Sequence, residues 1–301
     1  MKRFKRVLVN LNLDESDENL MNYASTIARM AKSEQIFFMY AEEGMVLPEP
    51  LFTDYPQLNE SLGDLIRDRI KKEVERYFKE KEGKDFNYIV LEGNSLDEIL
   101  KQSRLNSIDL IINGVSKNQH QSKSMSIKLA RKSPCSVLTI PENVACNLGE
   151  IAVAVDFSDN SKEAMDTALA FARADKKSKL KILHVYTVPT GYYATGKSYE
   201  EFAEIMKGHA VKHMADFLKD FNLSGINVTE LYLLDNDPAE TIMDKMQEYG
   251  CSFLIVGARG LGAAAAVLLG SVTENLIQKL NVPIFAVKKK GDHTSFLDAL
   301  S

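Results

Sequence analysis

The strongest constraint on this chain is that it is written twice. "RVLVNLNLDESDENLMNYASTIARMA", from Arg6, lines up with "EIAVAVDFSDNSKEAMDTALAFARAD", from Glu150. Val9 falls on Val153, Asn12 on Asp156, Ala24 on Ala168 and Ala28 on Ala172, each pair 144 residues apart. "DLIINGVSK" then falls on "SFLIVGARG", with Gly114 on Gly257, and "CSVLTI" falls on "VPIFAV". The order is kept and the offset drifts by only a few residues, as in two copies of one supersecondary unit. We place the copies at residues 1–142 and 150–290, joined by the short polar "PENVACNLGE" with Pro141 and Gly149 as breakers. A chain of 301 residues suits two such cores of about 150 residues better than one.

Within each copy, short apolar runs alternate with helical patterns. In the second, "EIAVAVD" reads as a strand, and "SKEAMDTALAFARA" puts Ala164, Ala168, Phe171 and Ala172 on one helical face. "LKILHVYTV" is a strand, and "EEFAEIMKGHAVKHMADFLKDF" is a long helix with Met206, Ala210, Met214, Phe217 and Phe221 on its apolar stripe. "INVTELYLL" is a strand. "DPAETIMDKMQEYG" is a helix opened by Asp-Pro and closed by Gly250. "SFLIVG" is a buried strand, a helix covers 271–280, and "VPIFAVKK" closes the unit. Such alternation predicts an α/β fold of two tandem, doubly wound, five-stranded parallel sheets covered on both faces.

Charge and composition narrow the function. A net charge of −5, from 37 basic and 42 acidic residues, disfavours a broad nucleic-acid or anionic-membrane surface. No apolar run approaches the roughly 20 residues of a membrane span, and the strand-like N-terminus does not read as a signal peptide. Cys135, Cys146 and Cys251 have no metal-binding spacing, which suits idle thiols in a reducing cytoplasm.

The candidate site lies where ligands sit in open parallel sheets, beyond the carboxyl ends of the strands. Asp156 ends the first strand of the second copy and Gly257 ends the fourth. Glycine there lets backbone approach a ligand. Gly270-Ser271 opens the last helix, whose free N–H groups and partial positive charge suit phosphate. Ser271 and Thr273 add hydroxyl donors, and Asp156 could accept from a ribose hydroxyl. The alternative is that "GLGAAAAVLLG" is a small-residue segment packed against a neighbour.

Gly257-x2-Gly260-x9-Gly270-Ser271, with "VDFSDNS" at the first strand end, resembles the ATP-binding branch of the universal stress protein family, in a tandem chain. The resemblance covers nearly all of both copies. It implies Rossmann-like domains with ATP, or another adenine nucleotide, held with or without Mg between the first and fourth strands. Carried over residue by residue, Ala154, Val155 and Asp156 would line base and ribose, and Val185 would meet adenine through its backbone. Val256, Gly257, Arg259 and Gly260 would follow the ribose and phosphates, and Gly270, Ser271, Val272 and Thr273 would hold the phosphates. The resemblance also implies that the apolar last strands meet across a pseudo-twofold, so the two copies mimic a dimer, and that two chains associate into a homodimer.

The first copy departs from the pattern. Asn12 replaces the aspartate, Lys117 stands in place of Gly260, the loop is four residues shorter, and Lys123-Ser124 replaces Gly270-Ser271. We expect it not to bind ATP in the family's manner. "GYYATGKS", residues 191–198, matches a P-loop pattern, but Pro189 separates it from the preceding strand and two tyrosines fill positions that need compact backbone. Should it instead act as a lid over the second strand end, Lys197 is the side chain placed to reach a ligand. His209, His213 and Asp216 share a helical face without a further metal ligand, and His184 reads as a packed strand residue. No residue set reads as catalytic and none as a metal site. Binding, with occupancy biasing a partner surface, is the leading function. A scaffold or chaperone-like protein holding an apolar or lipid-like molecule, and a slow ATPase, are the alternatives.

Overall fold

A computed structural model describes residues 4–44, 62–115, 119–175, 177–260, 269–279 and 281–289. The "LGAAAAVL" stretch and Lys117 lie outside the described residues, as does Leu280 of the expected last helix. The chain divides into two compact units, Met1–Cys146 and Asn147–Ser301.

The first unit runs β1 (Arg6–Asn10), α1 (Ser16–Ala31), β2 (Gln35–Glu42), α2 (Leu62–Tyr77), β3 (Asp85–Glu92), α3 (Ser95–Leu105), β4 (Leu110–Val115), α4 (Gln119–Lys132) and β5 (Ser136–Pro141). Its strands are parallel in the order β3-β2-β1-β4-β5. The second unit repeats the plan with β6 (Glu150–Ala154), α5 (Asp159–Ala174), β7 (Lys179–Tyr186), α6 (Tyr199–Leu218), β8 (Asn227–Leu234), α7 (Pro238–Glu248), β9 (Phe253–Gly257), α8 (Ser271–Gln278) and β10 (Ile284–Val287). Its order is β8-β7-β6-β9-β10, again parallel. In each unit the chain winds outward from the first strand, then returns to the other side for the fourth. That reversal opens a crevice between the carboxyl ends of the first and fourth strands.

Local chemistry sets the boundaries. α5 begins where the Ser158 hydroxyl accepts the Ser161 N–H at 3.2 Å, and α7 where the Asp237 carboxylate accepts the Glu240 N–H at 3.1 Å, with Pro238 in its first turn. Gly250 closes α7 with φ +61°, a conformation that disfavours any side chain. Small residues let α5 lie close on the sheet: Ala164 and Ala168 are fully buried, and Phe171 joins Phe253 and Phe285 in a ring cluster 5.9–6.4 Å apart. The strand expected to reach Val188 stops at Tyr186 and the long helix stops at Leu218, because the sheet ladder and helix repeat end before the apolar pattern does.

Candidate functional site

In the second unit one cleft of about 480 Å³ opens at the switch point between β6 and β9. All twelve residues singled out by sequence line it: Ala154, Val155, Asp156, Val185, Val256, Gly257, Arg259, Gly260, Gly270, Ser271, Val272 and Thr273. Ser161, Leu183, Pro238, Ile242 and Leu269 also line it, and sequence reasoning missed them. Pro238 and Ile242 stand one turn apart on α7, a spacing visible in the sequence, but only the fold shows that α7 borders the cleft. The lining combines apolar residues, among them Leu183, Val185, Pro238, Ile242 and Val272, with Asp156, Arg259, Ser271 and three glycines.

The three glycines serve three different needs. A Cβ on Gly257 would lie 2.9 Å from the carbonyl carbon and Cβ of Asn160, so the first turn of α5 requires glycine there. A Cβ on Gly260 would collide with Oδ2 of Asp156, so a side chain there would push the carboxylate aside. Gly270 is different. Its φ is −64°, open to any residue, and among the described residues a Cβ would make only ordinary contacts of 3.5 Å or more. Backbone packing against Asn160 explains Gly257; among the described residues no contact explains Gly270.

At the end of β6, Asp156 is held on several sides. Its N–H donates to the Ser161 hydroxyl at 2.9 Å, and that hydroxyl donates back to Asp156 Oδ1 at 2.6 Å. Oδ1 also accepts the Ser158 N–H at 3.1 Å. This clamp forces the next residue, Phe157, to φ +65°, a costly conformation for a non-glycine residue. The Phe157 ring is anchored in return against His184, 4.3 Å between centroids, and Phe217, 5.6 Å. His184 Nδ1 lies 2.9 Å from the Val155 carbonyl oxygen, and burial pushes its imidazole below the ordinary range. The histidine is thus the packed strand residue expected, with an added task at the point where β6 leaves the sheet.

That departure exposes an edge. The Val155 N–H donates to the Leu183 carbonyl at 2.9 Å, and β6 contributes no strand residue beyond it, while β7 continues to Tyr186 against β8. Backbone groups of residues two apart in a strand point the same way. The N–H and C=O of Val185 therefore face the side that β6 has vacated, toward the cleft.

The opposite wall is the start of α8. Gly270 N–H is fixed to the Ala258 carbonyl at 2.9 Å, and the helical ladder begins with Glu274 N–H on the Gly270 carbonyl at 2.9 Å. The N–H groups of Ser271, Val272 and Thr273 stand ahead of that ladder, as at any helix start. Thr273 departs from its expected role. Its hydroxyl donates to the Gly257 carbonyl at 2.8 Å and the residue is buried, so it ties α8 to β9. Ser271 is exposed at the mouth.

The P-loop-like segment has another architecture. Tyr192–Thr195 form a short 3₁₀ turn, and Gly196 follows at φ +72°. Ser198 caps α6, accepting the Glu201 N–H at 3.1 Å while the Glu201 carboxylate accepts the Ser198 N–H at 2.9 Å. The helix starts after the motif, so its N–H groups do not surround a phosphate loop. Among the described residues no group of three or more His, Cys, Asp or Glu is placed to hold a metal ion, and no helix is long and apolar enough to cross a membrane.

The universal stress protein family profile matches residues 3–141 and again 148–288. The chain belongs to the universal stress protein family. The universal stress protein YxiE of Bacillus subtilis is 29% identical over 147 residues, 46% of this chain and 98% of that protein. The universal stress protein MJ0577 of Methanocaldococcus jannaschii is 29% identical over 156 residues, 47% of this chain and 95% of that one. A universal stress protein structure from Archaeoglobus fulgidus shares the fold across 95% of this chain and 97% of its own, with a TM-score of 0.63 at 20% identity.

The first universal stress protein unit keeps the strand order of the second and the positive-φ turn after its first strand, and changes the chemistry. Leu13 has φ +57°, matching Phe157. Its clamp is an acid from the helix: Asp17 accepts the N–H groups of Asn12 at 3.0 Å and Leu13 at 2.8 Å. Burial pushes the Asp17 carboxyl up to about 7 against the lowering pull of those two bonds. Where the second unit has Ala154 and Val256 in its cleft, the first has Asn10 and Asn113, both buried, with Asn10 Nδ2 donating to Asn113 Oδ1 at 2.8 Å. Asn113 Nδ2 reaches the Ser126 hydroxyl at 2.9 Å. The residues aligned with Gly270-Ser271, Lys123 and Ser124, lie inside α4, which begins at Gln119. Backbone N–H groups that would be free at a helix start belong there to a helix interior.

Proposed function

We propose that the second unit binds ATP or another adenine nucleotide, and that the chain is a nucleotide-responsive stress or signalling module of the cytoplasm, not an enzyme. The observation that carries this reading is Gly270: unstrained, uncrowded by any described residue, and set at a helix start in the lining of the cleft. The residues fit the ligand in chemistry as well as position. The Val185 backbone edge suits the hydrogen-bonding edge of adenine between the apolar walls, with Ala154 and Val155 at base and ribose. Asp156 suits a ribose hydroxyl. Val256, Gly257, Arg259 and Gly260 suit the path from ribose to phosphates, and the N–H groups of Ser271, Val272 and Thr273 with the Ser271 hydroxyl suit the phosphates. When bound, the phosphates could bring Mg with them.

Binding without turnover follows from the same lining. Its charged side chains are Asp156 and Arg259, and Asp156 is engaged with Ser158 and Ser161. The described lining offers no poised general base beside a nucleophile. The test is a calorimetric titration of ATP into the full chain and into Gly270→Val. The expected result is saturable binding to the parent and a loss of about 100-fold or more in the variant, with its melting curve unchanged. Equal affinity in both would overturn the assignment. Displacement of a co-purified apolar molecule instead of nucleotide would favour a scaffold whose apolar walls, Leu183, Val185, Ile242 and Leu269, hold that molecule.

A further inference from the structure

At the exit of β6 one hydrogen bond has been exchanged for another. Ala154 is in register with Leu183, and the Val155 N–H donates to the Leu183 carbonyl at 2.9 Å, as a parallel ladder requires. One step further, that ladder would give the Val155 carbonyl to the Val185 N–H. The carbonyl oxygen instead lies 2.9 Å from Nδ1 of His184. A carbonyl oxygen only accepts, so Nδ1 carries a proton and donates it. The ring comes from the other face of the sheet. Leu183 and Val185 line the cleft, while His184, between them on β7, lines a separate groove with Phe202, Met206, His209 and His213 of α6. His184 thus holds a cleft-lining backbone without lining the cleft.

The bond matters for what it withholds. The N–H and C=O of one strand residue point to the same side, so the Val155 carbonyl faces β7 beside the Val185 N–H. With that carbonyl taken, the vacated edge presents one donor and one acceptor, the N–H and C=O of Val185. The pair matches adenine, whose hydrogen-bonding edge sets an acceptor nitrogen beside an amino donor. Guanine offers the reverse, an N–H donor beside a carbonyl acceptor. Were the Val155 carbonyl open, a second acceptor would stand at the edge. It would welcome the guanine N–H and face the lone pair of the adenine nitrogen. The first unit has no such cap. Leu11 N–H keeps the register on the Met39 carbonyl at 2.8 Å, but Tyr40 stands in the place of His184 and sends its hydroxyl to Glu42. Its first strand also ends there, at Asn10, so the turn opens the ladder and the part left to the histidine is the carbonyl.

We propose, resting on the nucleotide reading above, that His184 sets base specificity: by occupying the Val155 carbonyl it leaves a strand edge that accepts adenine and rejects guanine. Calorimetric titrations of ATP and of GTP into the full chain, His184→Phe and His184→Asn test it. Phenylalanine keeps a ring against Phe157, now 4.3 Å from the histidine between centroids, and loses the donor. Asparagine loses the ring and keeps an N–H donor one bond beyond Cγ, where Nδ1 stands. The parent is expected to prefer ATP by about 100-fold or more. His184→Phe lowers that ratio about tenfold or more, and His184→Asn leaves it within about threefold. His184→Leu, a second variant without a donor, follows His184→Phe. A role in packing alone would weaken both nucleotides together and would harm the asparagine variant more. An ATP-to-GTP ratio equal in the parent and the donor-free variants, or one that falls only in His184→Asn, overturns the proposal. A parent that binds neither nucleotide overturns the nucleotide reading itself, and the specificity with it.

Discussion

The ends of β1 and β6 solve one backbone problem with two different chemistries. Each first strand runs into a residue forced to positive φ, Leu13 at +57° and Phe157 at +65°, and each needs an oxygen to hold the turn. In the second unit the acid sits at the strand end, as Asp156, and a helix hydroxyl, Ser161, serves it. In the first the acid has moved to the helix, as Asp17, and the strand end is the amide Asn12. The turn survives the exchange while the group displayed beside the fourth strand changes. Fold is set by whether the turn's N–H groups are satisfied; function is set by which side supplies the charge.

The largest effect should come from the displaced acid. The folded-state value of Asp17 is raised from 3.8 to about 7, so the native state holds a proton that the unfolded chain has released. The resulting stability is full below about pH 4 and is lost as pH rises toward 7, by about 4 kcal/mol at most. Melting curves of the full chain between pH 4 and 8 should show the first unit weakening as pH rises. Asp17→Asn should flatten that dependence, because the charge is gone, at the cost of a lower plateau from one lost acceptor. The counterpart, Ser161, does not titrate, so a pH-dependent second unit of equal size would break the comparison.

Next in size is Gly270→Val, expected to cost about 100-fold in nucleotide affinity with little change in stability, since its φ and surroundings accept a side chain. Asp156→Ala is smaller and falls on both counts. Affinity should drop about tenfold, and stability by about 1–2 kcal/mol, because the Ser158 N–H and Ser161 hydroxyl lose their acceptor. The smallest effect is the most instructive. Asn12→Asp combined with Asp17→Ser gives the first unit the strand-end pair of the second. It should still gain no nucleotide binding by calorimetry, because Lys123 remains inside α4 and Asn10 and Asn113 still stand where the second unit has Ala154 and Val256. Binding by this double variant would show that the acid alone decides.

The duplicated framework was legible because buried parallel strands are continuous apolar runs and their helices carry cap residues such as Asp237 and Gly250. The residues of the cleft were legible where they end a strand or open a helix, as Asp156, Gly257 and Gly270 do. Walls from other elements were not, since Ile242 and Leu183 read as ordinary core residues until the topology brings them to the crevice. The direction of the Thr273 hydroxyl is decided by a carbonyl sixteen residues earlier in the chain, which no local pattern announces. The exchange of Asn12 and Asp17 for Asp156 and Ser161 was half visible. The missing acid showed in the alignment, but its reappearance on the helix needed the fold.

The most direct measurement of the central claim is a count. Purified full-length chain, saturated with ATP and freed of excess, is denatured and its released small molecules are quantified by mass spectrometry. The account predicts one adenine nucleotide per chain for the parent and none for Gly270→Val. Two per chain, or one per chain that persists in Gly270→Val, would place nucleotide in the first unit and contradict the division of labour between the two copies.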